Sequence, residues 1–118
     1  MTYDHNNIFA KILRKEIPCD LVDENRHALA FNDISPRAPL HVLIIPKKAY
    51  INFKEFISFA ERDEIIQFYQ LINKIIIEKK LDENGYRIIV NSGRDGNQEV
   101  QHLHFHLLAG KNLGLMIS

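Results

Sequence analysis

Apolar and polar residues alternate strictly in one segment near the C-terminus, and this predicts a β-strand. Residues 102–108 read His-Leu-His-Phe-His-Leu-Leu, and successive side chains of a strand point to opposite faces of a sheet. The two faces would carry different residues, with His102, His104 and His106 on one and Leu103, Phe105 and Leu107 on the other. The pattern thus predicts a row of three imidazoles on a rigid strand, anchored in a core by the opposite face.

Four further segments have the patterns of strands. Segments 20–24 and 28–32 flank a polar turn, which indicates a hairpin. The run 41–45 is β-branched and almost without polar residues, as is typical of a central strand buried on both faces. Residues 86–91 form the last strand before the histidine segment.

A short helix is predicted near the N-terminus. Asn6 or Asn7 is suited to cap its first turn. The following apolar positions repeat with helical spacing, namely Ile8, Phe9, Ile12 and Leu13. Ile17-Pro18 is expected to end this helix.

A longer helix is predicted over residues 59–80. Ser58-Phe59-Ala60-Glu61 has the spacing of a capping box at its start, and Gly85 is expected as its C-cap glycine. One face is apolar and contains Ile65, Phe68, Tyr69, Ile72, Ile75 and Ile76. Residues 49–57 give no clear prediction. The elements together predict an α+β domain, an antiparallel five-stranded sheet with one long and one short helix.

Composition narrows the possible functions. The 118 residues fit one domain over 1–118, and 46% hydrophobic with 25% charged residues is typical of a globular protein. The formal net charge is zero, so a mode of binding dominated by nucleic-acid phosphates or by a charged membrane surface is excluded.

The same sequence favours a cytoplasmic location. Cys19 is the single cysteine and cannot form an internal disulfide. Residues 1–7 have neither the basic nor the apolar region of a signal peptide. No apolar run approaches the roughly 18–20 residues of a membrane span, so no membrane association is expected.

From the residues alone, three interpretations of the histidine row stay open. The first is an exposed polar strand face without further role. The second is a metal site, because two imidazoles two positions apart can chelate one ion and zinc favours histidine. A third metal ligand would then come from His41, Glu99 or Asp95.

The third interpretation is phosphoryl or nucleotidyl chemistry. An imidazole with an ordinary pKa of about 6.5 is a nucleophile at neutral pH. Imidazolium and backbone N–H groups can stabilise the charge that develops on phosphate oxygens. The loop 92–99 contributes two glycines, where backbone N–H groups can approach an anion.

The segment 102–108 also resembles the His-x-His-x-His-x-x signature of the histidine triad (HIT) family. Upstream segments are similar to its Hint-like branch in the same order, namely residues 8–12, 15–18, 31–36, 38–47 and 85–91. The resemblance covers about residues 8–114, and it implies a single HIT domain.

The resemblance implies a purine nucleoside phosphoramidase that releases AMP or GMP from an amine-bearing leaving group. His104 would be the nucleophile and form a nucleotidyl-histidine, oriented by the carbonyl group of His102. His106 would bind the phosphate and assist the leaving group. His102 and His41 would complete the catalytic hydrogen-bond network.

The same resemblance implies the nucleotide-binding residues. Asp33 would bind the ribose hydroxyls, while Asn91 and the backbone of Gln98, Glu99 and Val100 would hold phosphate oxygens. The purine pocket would be lined by Ile8, Phe9, Ile12, Phe31 and Ile34. No cofactor or resident metal is implied, and the expected partners are a purine nucleotide substrate and a second copy in a homodimer.

Glu99 departs from the serine found in many members of the family. An ionised carboxylate beside a phosphate is repulsive, so its side chain is expected to point away or to meet an amine leaving group. Within the family, dinucleoside polyphosphate hydrolysis and nucleotidyl transfer are alternative activities. A nucleotide-binding interaction module with incidental activity is an alternative of another class.

Overall fold

The structure is a computed structural model that describes residues 2–117. Met1 and Ser118, the two ends of the predicted domain 1–118, lie outside the described residues. Within residues 2–117 the chain forms three helices and five strands. In chain order they are α1 Ile8–Leu13, β1 Leu21–Glu24, β2 Ala28–Asn32, β3 Leu40–Pro46, α2 Phe53–Phe59, α3 Arg62–Glu78, β4 Tyr86–Val90 and β5 Phe105–Ala109.

The five strands form one antiparallel sheet in the order β1-β2-β3-β5-β4. The predicted α+β class and five-stranded antiparallel sheet are confirmed. The run predicted as a central buried strand is β3, which lies in the middle of the sheet and is buried along almost its whole length. The predicted hairpin joins β1 to β2, and the Asn25 carboxamide oxygen accepts hydrogen bonds from the backbone N–H groups of His27 and Ala28.

The long helix predicted over 59–80 is α3, but it begins at Arg62 rather than at Phe59, and a separate short helix, α2, precedes it where residues 49–57 gave no clear prediction. Asn52 caps α2 by accepting a hydrogen bond from the Glu55 backbone N–H, and Phe56 is fully buried. The chain is then extended at Ala60 and Glu61. The capping box is formed by Glu61 and Glu64 rather than by a box opened at Ser58.

The predicted ends of the first and longest helices also need correction. Helix α1 stops at Leu13, well before Pro18, and Lys15 takes a positive φ of 62°. Helix α3 stops at Glu78, and Lys80 rather than a glycine takes the left-handed conformation at its end, with φ 55°. Gly85 instead precedes β4.

The two faces of the sheet bury separate apolar clusters. Helices α2 and α3 cover one face, where Leu103 and Leu107 are fully buried beside Phe56 and Phe68. Most of the predicted apolar face of α3 is buried, but Tyr69 remains 40% exposed and Leu71 belongs to the core. On the other face, α1 packs over β2 and β3 through a cluster made of Phe9, Ile12, Leu29, Phe31, Leu43 and Ile45.

The histidine segment is only partly a strand. Strand β5 begins at Phe105, so His102, Leu103 and His104 precede it. The Leu103 N–H donates to the Tyr50 carbonyl oxygen at 2.8 Å instead of to a neighbouring strand. The side chains nevertheless alternate between the two faces as predicted, because Leu103, Phe105 and Leu107 all belong to the apolar cluster under α2 and α3. Among residues 2–117 no helix is long and apolar enough to cross a membrane.

Candidate active site

Two adjoining cavities on the α1 side of the sheet meet at His104 and His106. The more polar cavity, about 410 Å³, is also lined by Asp33, His41 and Asn91. The more apolar one, about 330 Å³, lies under α1 and the Asp33 loop. Two larger surface grooves, of about 720 and 900 Å³, lie elsewhere and no histidine lines either. The chemistry of the lining therefore places the candidate site at the smaller pair.

His104 presents an unprotonated nitrogen. Its Nδ1 lies 2.8 Å from the His102 carbonyl oxygen, which can only accept, so Nδ1 carries the proton and donates. Nε2 therefore keeps its lone pair. The side chain is buried and packs edge-on against Phe9. Burial lowers the pKa of His104 below 6.5, which favours the neutral form.

His102 is fully buried and acts as support. Its Nε2 donates to the Pro46 carbonyl oxygen at 2.9 Å, and its Nδ1 lies 2.6 Å from the Tyr3 hydroxyl oxygen. Burial lowers the pKa of His102 from 6.5 to about 4, so the ring is neutral at pH 7. With Nε2 protonated, Nδ1 must accept, and the Tyr3 hydroxyl donates.

His41 and His106 form a directed pair. The Arg37 backbone N–H donates to His41 Nδ1 at 3.0 Å, so the ring proton of His41 lies on Nε2. That Nε2–H faces Nδ1 of His106 at 2.9 Å. His106 therefore carries its own proton on Nε2, where it can donate to a ligand. Burial, and the neighbouring imidazoles after it, lower the pKa of His106 to about 4.

Asp33 organises the loop beside this pair. One carboxylate oxygen accepts a hydrogen bond from the Ser35 backbone N–H at 2.8 Å, as in a turn initiated by aspartate. The other carboxylate oxygen lies 3.5 Å from His41 Nε2. The Asp33 carboxylate thus lies beside the His41–His106 pair.

Most of the predicted nucleotide-binding residues are brought together. The apolar cavity is lined by Ile8, Phe9, Ile12, Phe31, Asp33, Ile34, Glu99 and Val100. Asn91 lines the polar cavity. Phe9, Ile12 and Phe31 also belong to the core cluster on this face, so one set of side chains serves packing and lining. Ile34 is 90% exposed and stands at the rim.

The Gln98 side chain has a structural environment. It is buried, and its amide nitrogen donates to the carbonyl oxygens of Ile51 and Val100 at 2.7 and 3.0 Å. Its carboxamide oxygen accepts from the Gly93 backbone N–H at 3.1 Å. Glu99 is exposed and lines both cavities.

The sequence patterns predict none of three groups that contact the histidines: the Tyr3 hydroxyl, the Arg37 backbone N–H and the Pro46 carbonyl oxygen. Two are backbone groups, which no residue type identifies. Tyr3 is 99 positions from His102, and no local pattern joins them.

Asp33, His41 and His106 are the described side chains that could hold a metal ion, with donor atoms within 4.8 Å of one another. Neither Glu99 nor Asp95, both considered from the sequence, belongs to this set. A metal ligand must offer a lone pair, but Nε2 of His41 carries a proton because Nδ1 accepts from Arg37. The hydrogen bonds thus favour an anion-binding arrangement over a metal site.

Comparison with known proteins agrees with the fold and identifies the family. The HIT domain family model matches residues 14–113. A histidine triad protein from Clostridium difficile has a TM-score of 0.86 and 46% identity, covering 97% of this chain and 98% of that chain. A HIT family hydrolase from Legionella pneumophila has a TM-score of 0.87 and 36% identity, covering 96% of this chain and 100% of that chain.

The chain therefore belongs to the HIT family. It is 41% identical over 111 residues to the purine nucleoside phosphoramidase of Escherichia coli, covering 94% of this chain and 92% of that protein. It is also 50% identical over 117 residues to a 13.2 kDa HIT-like protein from Azospirillum brasilense, covering 99% of this chain and 96% of that one. Family membership and the similarity to the phosphoramidase support hydrolase activity.

Proposed function

We propose that the protein hydrolyses purine nucleoside 5′-phosphoramidates at the P–N bond and releases AMP or GMP. The observation that carries the proposal is the hydrogen bond from His104 Nδ1 to the His102 carbonyl oxygen, which leaves a nucleophilic lone pair on Nε2. The similarity to the E. coli phosphoramidase points to the same substrate class.

The chemistry proceeds in two displacements at phosphorus. Nε2 of His104 attacks the α-phosphorus, a P–Nε2 bond forms, and the P–N bond to the amine breaks. The amine leaves after its nitrogen has gained a proton. Water then attacks the nucleotidyl-His104, the new P–O bond replaces P–Nε2, and the imidazole is restored.

His106 contributes through its protonated Nε2. This N–H donates to a phosphate oxygen and stabilises the charge that develops there. The same Nε2–H can pass its proton to the nitrogen of the leaving amine while Nδ1 accepts from His41, and the water that attacks the nucleotidyl-His104 returns a proton to Nε2 of His106. His41 fixes the ring orientation of His106.

The cavities suggest how the nucleotide lies. The purine enters the apolar cavity next to Phe9 and Phe31, and Asp33 accepts from the ribose hydroxyls. Phosphate oxygens meet Asn91, His104 and His106 in the polar cavity. The exposed carboxylate of Glu99 lies at both cavities and suits a positively charged leaving amine better than a phosphate.

Two other activities share the nucleotidyl-histidine intermediate, namely dinucleoside polyphosphate hydrolysis and nucleotidyl transfer. A direct comparison of kcat/KM for an adenosine phosphoramidate and diadenosine polyphosphates separates these activities. Tight AMP binding without turnover of any of these substrates would instead indicate a nucleotide-binding interaction module.

The test of the nucleophile is His104→Ala, assayed with an adenosine 5′-phosphoramidate. Loss of the only nucleophile is expected to lower kcat by at least about a thousandfold. His27→Asn is the matched control, because His27 faces Asp63 and does not line the cavities. Unchanged turnover by His104→Ala would refute the assignment.

The proposal includes no cofactor and no resident metal. Chelation with EDTA is expected to leave the hydrolysis rate unchanged, and elemental analysis is expected to find no stoichiometric metal. A cytoplasmic location is part of the proposal, consistent with the single cysteine Cys19. No nucleic-acid or membrane partner is proposed.

We also propose a homodimer that forms along β4. This strand lies at one edge of the sheet. On the face that α2 and α3 cover elsewhere, three of its side chains are 38–43% exposed, namely Tyr86, Ile88 and Val90. Helix α3 packs over β1, β2 and β3 and does not cover them. A second copy of the chain would bury this apolar edge.

A further inference from the structure

Tyr3 connects the N-terminal segment to the histidine cluster. Its hydroxyl oxygen lies 2.6 Å from Nδ1 of His102, and the two rings pack edge-on with centroids 5.6 Å apart. No role for this tyrosine follows from the HIT signature, which begins 99 residues later. The contact is nevertheless made to a ring whose backbone orients the proposed nucleophile.

The segment that carries Tyr3 is fixed in place. The Asp4 carboxylate accepts from the Asn6 backbone N–H at 2.9 Å, and the Asn7 side chain donates to the Asp4 carbonyl oxygen at 2.7 Å. Asn7 also caps α1, and the Arg14 guanidinium donates to the His5 carbonyl oxygen at 2.7 Å. Tyr3 is therefore presented by a turn that is bonded to α1.

His102 is held from both ends of its ring. Nε2–H donates to the Pro46 carbonyl oxygen, where β3 ends, and Nδ1 accepts from Tyr3. Among the described residues every buried side-chain nitrogen or oxygen has a hydrogen-bond partner. Without the Tyr3 hydroxyl, Nδ1 of the fully buried His102 would lose the partner that it has in this structure.

We propose that Tyr3 is a positioning residue, whose hydroxyl holds the ring of His102 in place by donating to Nδ1 and so keeps the His102 carbonyl oxygen on Nδ1 of His104. The connected hydrogen bonds run from Tyr3 through His102 to His104. Removing the first bond frees one end of the His102 ring, which can then rotate about its remaining hydrogen bond to the Pro46 carbonyl oxygen. The carbonyl of the same residue then holds Nδ1–H of His104 less firmly, and the lone pair on Nε2 is directed less well. The kinetic consequence rests on the proposed function, whereas the effect on the two rings does not.

The test is Tyr3→Phe, which keeps the aromatic ring and removes only the hydroxyl. The first readout is independent of activity: two-bond ¹H–¹⁵N spectra of histidine-labelled protein report which ring nitrogen carries the proton. In the wild type, His102 is expected as the Nε2–H tautomer with a hydrogen-bonded Nδ1, and His104 as the Nδ1–H tautomer. In the variant, the Nδ1 resonance of His102 is expected to move to the position of a free acceptor, and His104 is expected to populate its second tautomer.

The second readout is the separation of kcat from KM for an adenosine phosphoramidate. Tyr3→Phe is expected to lower kcat by about threefold to tenfold and to change KM by less than about twofold, the scale of one lost hydrogen bond. Tyr69→Phe is the matched control, because it also removes one hydroxyl, from a tyrosine of α3 on the other face of the sheet. It is expected to leave the His102 resonances and kcat unchanged.

A double variant tests whether Tyr3 acts through His102. His102→Leu has no acceptor in place of Nδ1, so adding Tyr3→Phe to it is expected to cause no further loss of kcat. An additional loss, unchanged His102 resonances in Tyr3→Phe, or unchanged kcat would each overturn the inference. A wild-type protein that turns over no phosphoramidate would refute the proposed function, and the ring-nitrogen spectra would then decide the role of Tyr3 alone.

Discussion

His102 and His104 stand two positions apart on the same side of the chain, yet they hold their protons on different nitrogens. The Pro46 carbonyl oxygen fixes the proton of His102 on Nε2, and the His102 carbonyl oxygen fixes that of His104 on Nδ1. Both partners are backbone oxygens that can only accept. The position of the proton on each imidazole thus depends on which backbone carbonyl oxygen lies beside the ring. The alternation of residues in the sequence does not reveal this.

Acid is expected to destabilise the fold through His102. Burial lowers its pKa to about 4 in the folded chain, whereas the unfolded value is the ordinary 6.5. Between these values the unfolded state binds more protons, so the free energy of unfolding falls as pH falls. A shift of this size contributes about 3 kcal/mol to the free energy of unfolding. This contribution is fully present above pH 6.5 and is lost as the pH falls to about 4.

Urea unfolding at several pH values between 7.5 and 4 measures this dependence. His102→Gln keeps a donor toward Pro46 but does not titrate, so its unfolding free energy should depend less steeply on pH over the same interval. His106 acts in the same direction and stays in both proteins. Equal slopes for wild type and variant would show that His102 does not titrate with a lowered pKa.

At the scale of elements, the end of β3 and the segment that joins it to α2 support the histidine segment. The carbonyl oxygens of Pro46, Tyr50 and Ile51 accept from His102, Leu103 and Gln98 respectively. These bonds explain why β5 begins only at Phe105, since the preceding residues pair with this segment instead of with a strand. The histidines proposed to be catalytic therefore depend on a part of the chain that carries no functional motif.

Gln98→Leu tests whether this support is structural. The substitution leaves the buried carbonyl oxygens of Ile51 and Val100 without the amide donor, and the Gly93 N–H without its acceptor. We expect the free energy of unfolding in urea to fall by about 2–4 kcal/mol, given about 1–3 kcal/mol for each group left unpaired. Gln70→Leu, at an exposed position of α3, is the control and should stay within about 0.5 kcal/mol. Equal stability of both variants would show that the hydrogen bonds of Gln98 do not stabilise the fold.

Strong periodicity made the strands predictable. The helices were harder to place because neighbouring residues offer alternative start positions. Residues 41–45 were predicted as a central strand and lie within β3, because a β-branched run without polar residues suits only a buried strand. Ser58 and Glu61 have capping-box spacing, but the box that forms three residues later uses Glu61 and Glu64. The Tyr3–His102 contact has no local signal, since residues 99 apart meet only once the sheet has formed.

The two edges of the sheet differ in a way that bears on assembly of the whole molecule. Strand β1 has a bulge between Leu21 and Asp23, and Asp23 and Glu24 form ion pairs with lysines. Charges and bulges discourage pairing with another edge. Strand β4 instead presents Ile88 and Val90, 43% and 38% exposed. The asymmetry favours association along β4.

Ile88→Lys tests the proposed homodimer. Wild-type protein at micromolar concentration is expected to sediment as a species of twice the 13.8 kDa chain mass. The lysine can reach water in a single chain because position 88 is 43% exposed, but it would bury a charge in a dimer, so Ile88→Lys is expected to sediment at the chain mass.

Leu21→Lys is the matched control for this experiment. It introduces the same charge at a 53% exposed apolar position on the opposite edge strand, and it is expected to leave the dimer intact. Thermal unfolding of both variants, with near-native transitions, would show that the chain itself stays folded. A wild type that sediments only at 13.8 kDa would remove the dimer from the proposal, and dissociation caused by Leu21→Lys rather than Ile88→Lys would move the interface to β1.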